Sequence, residues 1–160
     1  MKTLASPAPA ATAQTMIGFR AGDWSFLLPI ALHCEVIEAV AINPLPRVEP
    51  WFCGLLNLRG NIVPVLDLCR LPGVSTEAAK KRYLLAIGKG SKTTALWIDE
   101  YPKMMPPPTN PQPNLPPLPQ QLRPCVIGAY RQQDRLWLEV RFDALFKALG
   151  GGQKSQEETP

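Results

Sequence analysis

The sequence has little of the chemistry on which most enzymes and metal sites depend. Its 160 residues include one histidine, His33, and four cysteines, none of them in a Cys-x-x-Cys pair. Hydrolytic and metal mechanisms mostly use histidine, and the neighbouring Cys34 side chain points away from His33 in an extended chain. No glycine-rich phosphate loop or nucleophile elbow is present. The sequence therefore predicts a protein that is not an enzyme and binds no metal or cofactor.

Long apolar runs and dense charge are also scarce. No stretch reaches the roughly 18 apolar residues of a membrane helix, and the N-terminus lacks a leucine-rich signal segment. We therefore expect a cytoplasmic protein without membrane insertion. The net charge is +4 and the densest basic cluster is 80–82, which we interpret as solvated strand ends. A small β-barrel that binds nucleic acid remains the alternative, although such proteins usually carry a basic stripe.

The four cysteines have mostly apolar neighbours, as in Phe52-Cys53-Gly54. Free cysteine in such surroundings usually behaves as a small buried hydrophobe. The length predicts one domain with a core of its own. We expect that domain over 16–149, between an Ala/Pro-rich flexible tail at 1–15 and a polar flexible tail at 150–160.

Strand patterns dominate between the two tails. Hairpins are predicted from 16–20 with 24–28, from 83–87 with 94–99, and from 126–130 with 135–140, because turn residues separate β-rich runs. A further extended run covers 34–40. Pro29 is predicted to begin a short helix, and Asp143 to cap a helix ending at Leu149. Since short hairpins cannot connect parallel strands, the fold class is antiparallel all-β, either barrel or sandwich.

Ten prolines fall between residues 102 and 124. Such a segment favours extended polyproline conformations. It could serve as a ligand for an aromatic-lined groove, but a stiff surface crossing between two strands is the favoured interpretation.

The most informative run is 51–68, where Asn57 and Arg59 interrupt two apolar strands. These two side chains share one face in strand geometry, and Gly60-Asn61 is predicted as the tight turn. Pro64 lacks an N–H, so its strand should be an edge or should face a break. An arginine among apolar neighbours needs a partner if it is buried. The alternative is a solvent-facing arginine at a hairpin tip.

The run from Gly54 to Gly60, Gly-Leu-Leu-Asn-Leu-Arg-Gly, followed by Ile-Val-Pro-Val-Leu-Asp-Leu at 62–68, resembles the signature of CheW-like chemotaxis coupling proteins. Further similar segments are 26–30, 34–36, 97–100 and 127–140, so that the resemblance extends over about 16–149. The proline-rich crossing at 102–124 departs from the family pattern, and 71–81 carries no family marker.

The resemblance implies two small five-stranded antiparallel β-barrels packed together, with short connecting and C-terminal helices. It implies a non-catalytic adaptor with a groove that receives the helical cytoplasmic tip of a methyl-accepting chemoreceptor. The adaptor would couple this tip to the regulatory domain of a CheA-type histidine kinase. The output is either chemotaxis or pilus-based motility. It also implies an ion pair between Glu35 and Arg59.

The apolar side chains around this pair are candidates for partner contacts, with ordinary core packing as the competing interpretation. The partner-binding candidates are Val36, Ile37, Leu55, Leu56, Asn57, Gly60 and Val63.

Overall fold

The computed structural model describes residues 14–38, 41–74 and 81–158, with side chains described as far as Gly150. The predicted tail up to residue 13, the end of the predicted strand at 39–40, the segment 75–80 and the last two residues lie outside the described residues. The strands are β1 (Met16–Ala21), β2 (Trp24–Pro29), β3 (Cys34–Ile37), β4 (Phe52–Leu58), β5 (Asn61–Leu66), β6 (Tyr83–Ile87), β7 (Thr94–Ile98), β8 (Lys103–Met105), β9 (Val126–Gln132) and β10 (Arg135–Val140). A C-terminal helix, α1 (Phe142–Glu158), follows them.

The strands form two five-stranded sheets. The first sheet has the order β8-β1-β2-β10-β9, and the second has the order β3-β6-β7-β5-β4. In the described part of the chain no ladder joins β8 to β9 or β3 to β4, so the closed barrels implied by the family resemblance are wrong. Loops occupy two of the edges instead, through single bridges from Pro111 to Tyr130 and from Asn43 to Leu55. The architecture is two packed open sheets.

Each sheet contains one parallel pair, which corrects the purely antiparallel prediction. β2 pairs in parallel with β10, and β5 pairs in parallel with β7. The hairpin argument holds for consecutive strands, and all three predicted hairpins are confirmed as antiparallel. It does not restrict strands that are distant along the chain, because their connection is long enough to allow a parallel crossover.

The predicted position of Pro64 is half right. Its strand β5 lies inside the second sheet, between β7 and β4, and is not an edge. The parallel ladder to β7 begins only at Val65, however, so Pro64 precedes it. The missing N–H therefore faces a break in the ladder, which is the second of the two predicted settings.

The two helix boundaries predicted from sequence need correction. Pro29 is the last residue of β2, opposite Met16, and only a turn follows it. The strand ladder outweighs the preference of proline for a helix start. α1 begins at Phe142, so Asp143 lies in its first turn, and it continues past Leu149 and the glycine triplet to Glu158. The Gln, Lys and Glu residues after the glycines are good helix formers.

One hydrophobic core joins the two sheets and α1. Phe19 and Phe26 of the first sheet meet Leu85 and Leu96 of the second in a single buried cluster. The ring of Phe142 in α1 lies 5.9 Å from Phe19 and 6.3 Å from Phe26. The opposite face of each sheet packs its own smaller cluster. The two sheets are therefore held as one body whose edges and hairpin tips remain at the surface.

Candidate partner-binding site

The hairpin between β4 and β5 carries the signature residues at its tip. Leu58 pairs with Asn61, so the two turn residues are Arg59 and Gly60, with φ of 51° and 88°. Two positive φ values define the turn type that fits the twist of a two-residue hairpin. The sequence prediction of Gly60-Asn61 as the turn was therefore wrong by one position. The exposed Asn57 side chain stabilises the turn, since its Oδ1 accepts a hydrogen bond from the Gly60 N–H at 2.9 Å.

Gly54, at the start of the signature, is required by a close approach of the chain. The segment around Asn43 crosses β4 here and exchanges two backbone hydrogen bonds with Leu55, of 2.7 and 2.9 Å. A Cβ on Gly54 would lie 2.4 Å from the Asn43 carbonyl oxygen, and its φ of +145° is rare for other residues. The glycine thus allows a loop to cover the edge of the second sheet.

Glu35 on β3 and Arg59 at the hairpin tip form the ion pair that the resemblance implied. Both guanidinium Nη groups donate to the carboxylate, with Nη1 3.4 Å from Oε2. The Arg59 side chain is 65% exposed and that of Glu35 is 34% exposed. Arg59 is therefore both solvent-facing and paired, so the two interpretations left open by the sequence hold together. The Arg59 hydrogen bond lowers the pKa of Glu35, against the smaller effect of partial burial.

The apolar candidates for partner contacts differ in how deeply they are buried. Leu56 and Val63 have no exposed surface and Ile37 is 9% exposed, all in the core cluster of the second sheet. Core packing, the competing interpretation, accounts for their position. Leu55 packs against the shared core. Val36 is only partly buried and reaches the surface beside the edge of β3.

A groove runs between the edge strand of each sheet, β3 on one side and β8 on the other. We call it the inter-sheet groove. It encloses about 240 Å³ and is lined by Ile17, Cys34, Glu35, Val36, Leu85, Tyr101, Pro102, Lys103 and Met104. Tyr101 and Met104 are 61% and 65% exposed, the highest values among the large hydrophobic residues that the structure describes. Exposed apolar groups gathered in a cleft are typical of a binding surface.

A chain of ion pairs that the sequence did not reveal lies close to this groove. Arg82 donates to both oxygens of Asp67, at 2.7 and 3.1 Å, and its Nε lies 3.3 Å from Asp99 Oδ1. Its side chain is only 16% exposed, so the prediction that this basic cluster is solvated was wrong for Arg82. The sequence did contain one sign of these ion pairs, because the acidic residues Asp67 and Asp99 each directly follow an apolar strand.

Glu100 continues this chain of ion pairs. Arg135 Nη1 lies 3.1 Å from its Oε1, and Arg20 Nε lies 3.3 Å from its Oε2. The Arg135 hydrogen bond is the main cause that lowers the pKa of Glu100, against a smaller opposing effect of burial. A carboxylate with a lowered folded-state pKa adds stability above its unfolded pKa of about 4.3, and this stability is lost as the pH falls through the folded-state pKa.

We therefore expect Glu100→Gln to flatten the acid side of the stability profile. Wild-type protein should lose unfolding free energy faster than the variant as the pH drops from about 5 to about 3. Urea unfolding at a series of pH values measures the difference. Parallel curves for the two proteins would contradict the pairing.

The four cysteines were predicted to be buried, but only Cys125 is; Cys34, Cys53 and Cys69 are partly buried. All are free, and burial is the main cause that raises the pKa of each thiol, to about 11 for Cys69. The thiols are therefore protonated at neutral pH and weakly reactive. Within the described residues no group of histidine, cysteine and carboxylate side chains could hold a metal, and no helix has the length and apolar character of a membrane span.

Comparisons with known proteins all point to one family. A family model described as the CheW-like domain matches residues 15–150. Protein PilI of Pseudomonas aeruginosa is 31% identical over 136 residues, covering 84% of this chain and 76% of that protein. Chemotaxis protein CheW of Helicobacter pylori is 26% identical over 136 residues, covering 82% and 80%. The crystal structure of scaffolding protein TtCheW from Thermoanaerobacter tengcongensis shares the fold, with a TM-score of 0.68 and 22% identity, over 84% of this chain and 93% of that one.

These relatives define the class of the protein as a scaffold of chemosensory signalling, a family whose members are non-catalytic. The chain belongs to the CheW-like domain family. The resemblance read from the signature at 54–68 is thereby confirmed.

Proposed function

We propose that this chain is an adaptor that binds the cytoplasmic tip of a methyl-accepting chemoreceptor and the regulatory domain of a CheA-type histidine kinase at the same time. The observation that carries the proposal is the inter-sheet groove, which lies beside the exposed Glu35–Arg59 pair. Coupling of this kind needs no chemistry. It needs two sites on one rigid body, so that a shift at the receptor changes the populations of kinase states.

The groove suits the receptor tip, which the resemblance gives as helical. An amphipathic helix buries a stripe of apolar side chains in a groove with apolar walls, and Val36 faces Met104 and Tyr101 across this one. In this proposal the kinase regulatory domain binds the exposed face of the β4–β5 hairpin. There Ile62 is 58% exposed and pairs across the hairpin with the exposed Asn57. Glu35 belongs to both regions, because it lines the groove and holds Arg59.

Similarity to the protein named PilI supports the pilus-based form of the output. The alternative of nucleic-acid binding has no comparable support. Arg20, Arg59, Arg82 and Arg135 are all paired with carboxylates of the chain itself, which leaves fewer cations for a phosphate backbone.

The Glu35–Arg59 pair provides the test. We expect Glu35→Ala and Arg59→Ala each to weaken kinase activation in a reconstituted receptor–kinase mixture, while the thermal midpoint changes little because the pair is exposed. Arg141→Ala is the matched control, since that arginine is 61% exposed and lies 3.9 Å from its partner Asp143. Wild-type activation by both Glu35→Ala and Arg59→Ala would refute the role of the pair.

A charge swap separates two ways in which the pair could act. In Glu35→Arg/Arg59→Glu the pair is rebuilt with its polarity reversed. Recovery of activation by the double variant means that the pair orients the hairpin tip from within. A double variant as defective as Arg59→Glu alone means that a partner contacts Arg59 directly, since a cycle of this kind isolates the pairwise contribution.

A further inference from the structure

The connection from β7 to β8 carries the chain from the second sheet to the first. It begins with Asp99 and Glu100, and the next residues, Tyr101 and Pro102, already line the inter-sheet groove. The position of one groove wall therefore depends on how these two carboxylates are held.

The Glu100 carboxylate accepts its hydrogen bonds from two arginines of the first sheet. Arg135 at the start of β10 donates to both carboxylate oxygens, at 3.1 and 3.3 Å, and Arg20 in β1 donates to Oε2 at 3.3 Å. β1 and β10 are not neighbours, because β2 lies between them. One carboxylate thus spans three strands, and paired contacts to arginine fix orientation as well as distance.

Asp99 is attached to both sheets. Its backbone N–H donates to the Arg20 carbonyl at 2.7 Å, and its Oδ2 accepts from the Gly22 N–H at 2.7 Å. Its Oδ1 lies 3.3 Å from Nε of Arg82, the residue before β6 of the second sheet, in an ion-pair contact that is not a hydrogen bond. The Asp99 side chain is 1% exposed, so these contacts are shielded from water and fix where the connection leaves the second sheet.

The strand that follows is weakly held by comparison. β8 has three residues, and within the described ranges its one ladder is to β1, from Met16–Met105 to Gly18–Lys103. Its free edge faces the groove, where Met104 is exposed. A strand this short is marginal alone, so the contacts just before it matter for its position.

We propose that Arg20, Asp99, Glu100 and Arg135 form a clasp that positions the wall of the inter-sheet groove, with Glu100 as a positioning residue for the receptor tip. The inference rests on the proposed function. The clasp holds Tyr101 and Met104 at a fixed distance from β3, and a groove that is already set before binding loses less free energy to ordering when the helix arrives.

Glu100→Gln tests this in the full chain, because it keeps the side-chain shape and removes the charge. The methionine methyl groups are the reporters: Met104 lies in the groove on β8, and Met16 is buried on β1. In methyl NMR spectra we expect the Met104 signal to move while the Met16 signal stays. Binding of a soluble receptor-tip fragment should weaken about three- to tenfold, in the range of coupling between contacting groups.

Three further variants sharpen the result. Arg135→Gln should repeat both effects, and Glu100→Gln/Arg135→Gln should be no worse than either single change, because both remove the same interaction. Glu139→Gln is the matched control: this carboxylate pairs with Tyr130 inside the first sheet at 3.2 Å. It should leave Met104 and receptor binding unchanged.

Different results would overturn the clasp and the proposed function. An unmoved Met104 signal together with wild-type affinity in Glu100→Gln overturns the clasp while the proposed function stands. If wild-type protein binds no receptor tip, the proposed function fails. The Met104 signal then decides alone whether the clasp positions the wall: movement supports it and no movement overturns it.

Discussion

Replacing Asp99 by alanine is expected to lower the free energy of unfolding by about 3 kcal/mol, the lower end of the cost of breaking a buried ion pair. The carboxylate is 1% exposed and lies 3.3 Å from Arg82 and 3.6 Å from Arg20. Its loss also leaves the buried Gly22 N–H without its acceptor, which carries a desolvation penalty of its own. Arg82 keeps Asp67 as a partner, which limits the damage.

Urea unfolding at neutral pH measures this effect. Asp143→Ala is the control for removing an aspartate, because that side chain is 82% exposed and its partner Arg141 is 3.9 Å away. Exposed pairs of this kind contribute about 0–1 kcal/mol. Equal losses for the two variants would show that Asp99 is not a buried link between the sheets.

Met104→Glu is expected to reduce binding of the receptor tip by at least about thirtyfold, since an unpaired charge buried in an interface costs several kcal/mol. Met104 is 65% exposed in the free protein, so its replacement leaves the core intact. The new carboxylate would stand in the same groove as Glu35. The stability of the unbound chain should therefore be nearly unchanged.

Isothermal titration with a receptor-tip fragment measures the loss. Ile127→Glu is the matched control, because Ile127 is 58% exposed on β9, at the opposite edge of the same sheet. It should bind normally. The groove is the wrong site if Met104→Glu binds like wild type, or if Ile127→Glu loses as much affinity.

Local signals account for the parts of the fold that could be predicted. Turn residues such as Gly22, Gln133 and Asp134, all three with positive φ, lie between β-rich runs and define two of the hairpins. Turn chemistry acts over a few residues, so one sequence suffices. The turn at Arg59-Gly60 was predicted one position too late, at Gly60-Asn61. Local signals could not prevent this error, since a glycine fits either turn position and only the strand register decides between them.

The pairing of strands that are distant along the chain could not be predicted from the sequence. The parallel pairs β2–β10 and β5–β7 join strands that are distant along the chain, and no periodicity reports a partner. The sheets do not close into barrels because loops occupy their edges. The loop at Asn43, for example, pairs with the edge of β4 at Leu55, and Gly54 leaves room for it. A barrel and an open sheet share the same alternation of side chains, so the pattern could not separate them.

The candidate site was found in part. Glu35 and Arg59 meet as the resemblance implied, and Val36 reaches the groove. The clasp was missed because Glu100 finds Arg20 and Arg135 only when the first sheet assembles. Tyr101 and Met104, which stand at the front of a proline-rich segment, gave no sign of exposure in the sequence.

The most direct test is to titrate this chain into a fixed mixture of a receptor-tip fragment and an isolated kinase regulatory domain, and to measure how much of the kinase domain is captured with the receptor. A body with two separate sites predicts a rise to a maximum, then a fall when excess adaptor occupies each partner separately. Capture that does not depend on the chain, or a steady rise with no fall, would contradict an adaptor that bridges the two partners.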